Sequence, residues 1–274
     1  GRALTEDYLA ELQSSTVTNP LDKAVQFRTE QNWLRGPGRG AAGVSYVPPW
    51  PDLAAELMDE WMTFATRAPL QMDPIVAASI ASFGFVFIHP FMDGNGRLSR
   101  FLFHKTLCAS GRLGRGLLLP VSVAMKRNEA DYLAVLQGYS KQAREQVQVT
   151  WIDEGQYSFN FKARDSIFRY WDATACVEFG FRMATQALDV ELKQETQFLA
   201  RYDHVIRRVD AQIDLRGSDL ATLVVICLDG DGVISKKKRK RFAGRVPEAA
   251  FERIESAVRE VLVQEAVEND RDEF

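Results

Sequence analysis

Residues 89–100 run His-Pro-Phe-Met-Asp-Gly-Asn-Gly-Arg-Leu-Ser-Arg, and they concentrate chemistry that no other stretch of the chain carries. Twelve positions hold a titratable base, a carboxylate, an amide, two glycines and two arginines. These are the parts that grip a nucleoside triphosphate and move one of its phosphoryl groups. A tight turn between two core helices would also account for the glycines, but a turn needs none of the charged groups.

Each residue type suggests a task. Gly94 and Gly96 permit positive φ and keep side chains out of a ligand's path. A helix beginning at Asn95 or Gly96 would aim its free N–H groups and positive dipole end into the loop, which makes an anion site. Arg97 and Arg100 are three apart and project from one side of the first turn. Two guanidinium forks there suit a polyphosphate better than a single carboxylate. Among so much positive potential, Asp93 is placed to hold a Mg²⁺ that bridges phosphate oxygens. The Asn95 amide can donate to a phosphate oxygen as charge builds on it. His89 titrates near ~6.5 when unperturbed, so it can accept a proton from an attacking hydroxyl. Phe91 reads as the anchor of the loop into the core.

The elements that must position these groups follow from periodicity. Pro51 opens a helix to about Ala68, with Leu53, Leu57, Trp61 and Phe64 on its buried side. Asp73 caps the next helix, with Pro74 in its first turn, and this helix delivers His89 at its C-terminal end. Its surface from Val76 to Ile88 is apolar nearly all round, so it is expected at the centre of the core. A helix from about Asn95 to Ser110 follows, and Asn128 caps another through Tyr132, Val135, Leu136 and Tyr139. Upstream, residues 4–13 have helical spacing. Residues 26–47 read as a hairpin with a Gly/Pro tip, ended by Pro48 and Pro49. Downstream, residues 147–152 and 157–161 read as strands around an Asp153-Glu154-Gly155 turn. Helices are expected over 164–209, 220–228 and 247–263, with a frayed acidic tail after Gln264.

The twelve-residue motif resembles the Fic (filamentation induced by cAMP) family, matching its pattern at every defined position. The segment Phe27-Arg28-Thr29-Glu30-Gln31-Asn32-Trp33 is similar to the flap hairpin that precedes that motif, and the likeness runs to about residue 145. A weaker likeness, around Tyr170-Trp171-Asp172-Ala173-Thr174-Ala175, is to the C-terminal region of some bacterial Fic proteins. The resemblance implies a mainly α Fic-fold helical bundle with a β-hairpin flap and a mostly helical C-terminal extension. The expected division is a Fic domain over 1–145 and a helical region over 146–274, winged-helix-like near 215–263.

The resemblance also implies a reaction: transfer of AMP from ATP to a Ser, Thr or Tyr hydroxyl of a target protein, with release of pyrophosphate. By carry-over, His89 is the general base and Asp93 holds Mg²⁺. Gly94, Asn95 and Gly96 form the anion hole, and Arg97 and Arg100 bind the triphosphate. Gly96 favours adenylylation, since a Doc-like kinase branch places Lys there. Ser99, often Gly in the family, is a tolerated departure. Tyr132 and Tyr139 lie where relatives contact adenine, with core packing an equal alternative for each. The flap, from Phe27 to Leu34, would dock an extended target segment by strand pairing. Fic enzymes are often silenced by a helix reading (Ser/Thr)-x-x-x-Glu-(Gly/Asn), whose Glu pairs with the second arginine, here Arg100. The one literal match, Thr150 through Glu154 and Gly155, falls on a predicted strand and turn. Inhibition is therefore expected from a separate helix or an upstream segment. Alternative readings are a Fic phosphotransferase, a de-AMPylating enzyme, or a nucleotide-sensing module that binds DNA.

Whole-chain properties bound these readings. The 274 residues carry a net charge of −3, which gives no global reason to bind nucleic acid or anionic membrane. Three dispersed cysteines fit a reducing, cytoplasmic compartment and no zinc spacing. No leader or membrane span is read from the sequence, although export as an effector would leave no compositional trace. Lys236 to Arg241 is a run of six basic residues, read as a solvated face, with a nucleic-acid or acidic-partner patch as the sharper alternative. Asp93-x-Asn95 and Asp229-x-Asp231 mimic EF-hand starts but lack the required Gly and Glu. Gly38-x-Gly40-x-x-Gly43 mimics a dinucleotide fingerprint but has no following helix. His104 and His204 are expected only to pack or meet solvent.

Overall fold

The computed structural model describes residues 2–111, 119–162, 164–210 and 215–272, with side chains described to 265. The chain is mainly α-helical, with two small antiparallel hairpins. It divides into two compact units, Gly1–Glu191 and Leu192–Phe274.

In the first unit α1 spans Glu6–Thr16, β1 Leu34–Arg35, β2 Val44–Tyr46, α2 Pro51–Gln71, α3 Pro74–Ile88 and α4 Asn95–Ala109. Then come α5 (Val121–Arg127), α6 (Glu129–Glu145), β3 (Val147–Asp153), β4 (Gln156–Phe161), α7 (Ser166–Arg169) and α8 (Thr174–Gln186), which continues as a π-helical turn, Ala187–Glu191.

The apolar helix α3 is the axis of this unit. Asp73 caps it by accepting from the N–H groups of Ile75 and Val76. Its flanks serve two cores. On one side Phe85 and Ile88 join Leu57, Met58, Trp61, Phe91, Leu98 and Leu102. On the other, Phe83 and Phe87 join Phe103, Met125, Tyr132, Phe179 and Met183. Polar ties fix its neighbours: Trp61 Nε1 donates to the Ala81 carbonyl at 2.8 Å, and Ser82 Oγ donates to the Ser99 carbonyl at 2.9 Å. Helix α8 crosses α3 so closely that a Cβ at Gly180 would fall 1.9 Å from Ser79 Oγ.

Two expectations change here. The division expected at 145/146 falls at 191/192, because Cys176, Phe179 and Met183 of α8 are buried in the α3 core. The hairpin expected over 26–47 is also shorter. Only Leu34–Arg35 and Val44–Tyr46 pair, with Leu34 opposite Tyr46. Residues 27–33 lie outside this ladder; the Phe27 N–H bonds to Glu6 Oε1 and the Arg28 N–H to the Pro90 carbonyl. The second hairpin has the expected strands, with Val147 opposite Phe161.

In the second unit α9 spans Leu192–Asp210, α10 Gly217–Leu228, α11 Lys236–Lys240 and α12 Glu248–Asp272. Leu223, Val224, Cys227, Ile234, Phe251, Ile254 and Val258 form its core. No strand occurs among its described residues, so the winged-helix-like expectation lacks a wing. The tail expected to fray continues α12 to Asp272. Within the basic run, Arg239 turns inward to Glu255 at 2.7 Å and to Glu248. No helix among the described residues is long and apolar enough to cross a membrane.

Candidate active site

The loop between α3 and α4 is built from backbone geometry first. His89 ends α3 in the left-handed region, at φ 54° and ψ 57°, which is uncommon for a residue with a Cβ. Gly94 precedes α4 at φ 84°, and a Cβ there would meet Val17 Cγ2 at 3.2 Å. Gly94 is therefore required by conformation and by close packing of α1. Gly96 is different: a Cβ there would meet only Arg100 Nη1, at 3.8 Å. Nothing in the protein demands glycine at that position, so the open space suits a ligand.

Helix α4 starts at the motif as expected. The N–H groups of Arg97 and Leu98 bond to the Gly94 carbonyl at 3.1 and 3.0 Å, leaving those of Asn95 and Gly96 ahead of the first intrahelical bonds.

His89 is 7% exposed. Its Nδ1 lies 3.0 Å from the Val86 carbonyl. A carbonyl only accepts, so Nδ1 carries the proton and Nε2 keeps its lone pair. Among the described residues Nε2 has no hydrogen-bond partner, and it is not sealed from solvent. Burial lowers the imidazole pKa to about 4; the bond to Val86 opposes this, the Arg28 charge adds to it, and Asp93 opposes it. The ring is therefore neutral at physiological pH.

The other motif residues divide. Asn95 is buried, accepting from the Phe91 N–H at 3.0 Å and donating to the Phe91 carbonyl at 2.7 Å. The amide expected to meet phosphate thus closes the loop here, and the Asn95 backbone N–H lies ahead of the first intrahelical bonds. Arg97 is half-exposed and tethered, donating to the Thr16 carbonyl at 2.6 Å and to Asp93 Oδ2 at 3.0 Å. The expected metal carboxylate and one expected phosphate ligand thus neutralise each other.

Arg100 has no carboxylate partner among the described residues, and Glu154 lies exposed in the β3–β4 turn. Tyr132 is a core residue, 8% exposed, its ring packed at 5.6 Å from Phe83 and 5.9 Å from Phe179. Of the two alternatives held open for Tyr132, the core-packing one describes its ring. Its hydroxyl lies beside Ser99 and Arg100 yet makes no hydrogen bond of ordinary geometry. Tyr139 is likewise taken up in packing, 4.2 Å from Phe87. A cleft of 640 Å³ opens beside α4, lined by Arg97, Arg100, His104, Pro120 and Lys126 among others; it reaches both arginines but not His89.

Two observations fit a triphosphate with its metal: the open space at Gly96 and the orphaned Tyr132 hydroxyl beside Arg100. Asp93 is the one carboxylate at the turn, and no group of three or more metal-ligating side chains occurs among the described residues. That suits Mg²⁺, which keeps waters and takes substrate phosphates rather than a full protein cage.

Three residues hold this loop in a way the sequence does not signal: Gln13, which carries no expected role, and Arg28 and Asn32, expected only as part of the flap. Gln13 of α1 donates to the Asp22 and Asp93 carbonyls at 2.8 and 3.1 Å and accepts from the Ala24 N–H. Arg28 and Asn32 bond to the loop's backbone. Separations of 59 to 80 residues leave no periodic signal for such contacts.

Comparison with known proteins agrees with this geometry. The sequence model of the Fic/DOC family matches residues 3–107. Over 89 residues the chain is 35% identical to "Protein adenylyltransferase Fic" of Drosophila willistoni, covering 31% of this chain and 16% of that protein. It is 34% identical over 89 residues to the protein of the same name in Drosophila melanogaster, with the same coverage of 31% and 16%. The chain thus matches about a sixth of the length of these relatives. A crystal structure of a Fic family protein from Desulfovibrio desulfuricans G20 superposes with a TM-score of 0.51 at 21% identity, covering 90% of this chain and 68% of that one, a likeness of fold. The motif, the helical frame around it and the family match agree: residues 3–107 form a domain of the Fic/DOC family.

Proposed function

We propose that this chain is a protein adenylyltransferase, moving AMP from ATP to a Ser, Thr or Tyr hydroxyl of a target protein. The observation that carries the proposal is the tautomer of His89: Nδ1–H is spent on Val86, and Nε2 is a free base beside a glycine turn that opens a helix. In the proposed step the target hydroxyl oxygen bonds to the α-phosphorus. The bond from that phosphorus to the α,β-bridging oxygen breaks, and pyrophosphate leaves. The hydroxyl proton passes to His89 Nε2.

The N–H groups of Asn95 and Gly96 would receive charge developing on the phosphate. Arg97 and Arg100 would orient the triphosphate. Asp93 would hold a Mg²⁺ supplied with ATP, and that ion's chemistry is neutralisation of phosphate charge. An extended target segment would dock along the Phe27 to Leu34 stretch that leads into the short β1–β2 hairpin. The similarity to proteins named protein adenylyltransferase supports the AMP reading, as does Gly96 where a kinase branch carries Lys.

Parallel incubations with α-labelled and γ-labelled ATP test it. Label on protein from the α-position is expected. Label from the γ-position alone would replace adenylylation with phosphotransfer.

A further inference from the structure

The segment from Arg28 to Asn32 grips the base-bearing loop at three consecutive carbonyls. Arg28 Nε donates to the His89 carbonyl at 2.9 Å, the Arg28 backbone N–H to the Pro90 carbonyl at 2.8 Å, and Asn32 Nδ2 to the Phe91 carbonyl at 3.0 Å. Of the backbone donors in this stretch, the Arg28 N–H is committed to the motif and the Phe27 N–H to Glu6 Oε1, at 2.6 Å. The remaining guanidinium nitrogens of Arg28 bond to the Glu30 carbonyl at 3.1 Å and to the Pro49 carbonyl.

We infer that Arg28 is a positioning residue for His89, its guanidinium fixing the backbone from which the imidazole projects. Arg28 is 6% exposed and has no carboxylate partner among the described residues. A buried arginine without a counter-ion is expensive, and burial lowers its pKa to about 10. The packing of a surface loop would not require such a group.

What the guanidinium supplies is a planar fork that reaches several carbonyls at fixed angles. One of them belongs to a residue held at positive φ, a conformation that costs about 1 kcal/mol and persists only where the surroundings enforce it. The same fork joins Pro49, in the connection from β2 to α2, to His89. Displacing the base by even ~1 Å from its reacting hydroxyl can lower a rate about 100-fold.

This inference deepens the proposed adenylyltransferase reading and rests on it for its kinetic arm only. The charged and titratable groups around His89 are Arg28, Asp93 of the loop, and Tyr46 of β2, whose hydroxyl donates to the Phe87 carbonyl at 2.6 Å; Tyr139 of α6 lies against Tyr46.

The test compares the full chain with Arg28→Met and Arg28→Lys, each checked for folding by its thermal melt. The chain has three histidines, so the His89 ring is readily followed by NMR. In Arg28→Met the backbone shifts of His89 to Phe91 should move and the His89 titration should rise. Arg28→Lys keeps the charge without the fork, so the backbone shifts should move while the titration stays near its starting point. In AMP transfer from α-labelled ATP, both variants should lose kcat by about 10- to 100-fold with KM for ATP little changed.

Folded Arg28→Met with unaltered His89 shifts, or with wild-type kcat, would overturn the inference. A wild-type chain that transfers no AMP would overturn the functional reading instead, and the NMR comparison would still decide the role of Arg28. If Arg28→Met does not fold, Arg28→Lys alone decides: unmoved backbone shifts with wild-type kcat would overturn the inference.

Discussion

Arg97 Nη2 and Asp93 Oδ2 stand 3.0 Å apart across the turn that opens α4. The proposed phosphate ligand and the proposed metal ligand therefore occupy each other. Both side chains are about half-exposed, so the pair contributes little to stability, on the order of 0.2–1 kcal/mol, and is readily exchanged. Asp93→Asn should free Arg97. Metal-free ATP should then bind as well or up to about fivefold tighter, while stimulation of transfer by Mg²⁺ is lost. Calorimetric titration with and without Mg²⁺ checks both halves, and a variant that keeps its Mg²⁺ stimulation would remove Asp93 from the metal site.

His89 governs two pH dependences. Its pKa is lowered to about 4, so the free enzyme should hold its base neutral well below neutrality. The acid limb of kcat/KM, which reports the free enzyme, should lie near pH 4–5 and not near ~6.5. For stability the sign is the same. The unfolded chain binds the His89 proton below about pH 6.5 while the folded chain resists it until about pH 4, so stability falls as pH drops through that window. His89→Ala should flatten that part of the stability profile, abolish transfer and leave ATP binding largely intact. Loss of ATP binding as well would make His89 a structural residue.

Gly96 separates folding from function. A Cβ there meets only the end of the Arg100 side chain, and its φ is not in the left-handed region. Gly96→Ala should leave the fold unchanged or stabilise it by about 0.4–1 kcal/mol through the unfolded state. Transfer should nevertheless fall steeply if phosphate occupies the space that the methyl group would fill. A melting curve and an AMP-transfer assay on one preparation decide this. A fully active Gly96→Ala would place the ligand elsewhere.

The Tyr132 hydroxyl is buried beside Ser99 and Arg100 and makes no hydrogen bond of ordinary geometry with either. Leaving such a group unpaired costs about 1–3 kcal/mol, so Tyr132→Phe should raise the melting temperature of the nucleotide-free protein. If ATP supplies the missing partner through the cleft beside Arg100, the same variant should raise KM for ATP. A lower melting temperature would show that the hydroxyl is already satisfied in solution.

Local signals placed the helices that carry the site. Asp73 and Pro74 start α3, the glycine turn separates α3 from α4, and both helices have the expected frame. Capping, φ restriction and 3.6-residue periodicity act within a few positions, so a single sequence displays them. The motif's residue types likewise determined which chemistry could be attempted.

Tertiary structure decided how each group is used. Asn95 and Tyr132 look like ligand contacts by type, but the first closes its own loop and the second fills the α3 core. Arg28, 61 residues before His89, holds its carbonyl, and Gln13, 80 residues before Asp93, holds that one. Such bonds depend on where the folded chain brings distant segments, and no local spacing encodes them. The sequence by itself determined that a histidine, a carboxylate and a helix start share one short loop. Only the fold decided that the base is neutral, that Nε2 is its free nitrogen, and that Arg97 is engaged by Asp93, because burial and long-range hydrogen bonding exist only once the chain is packed.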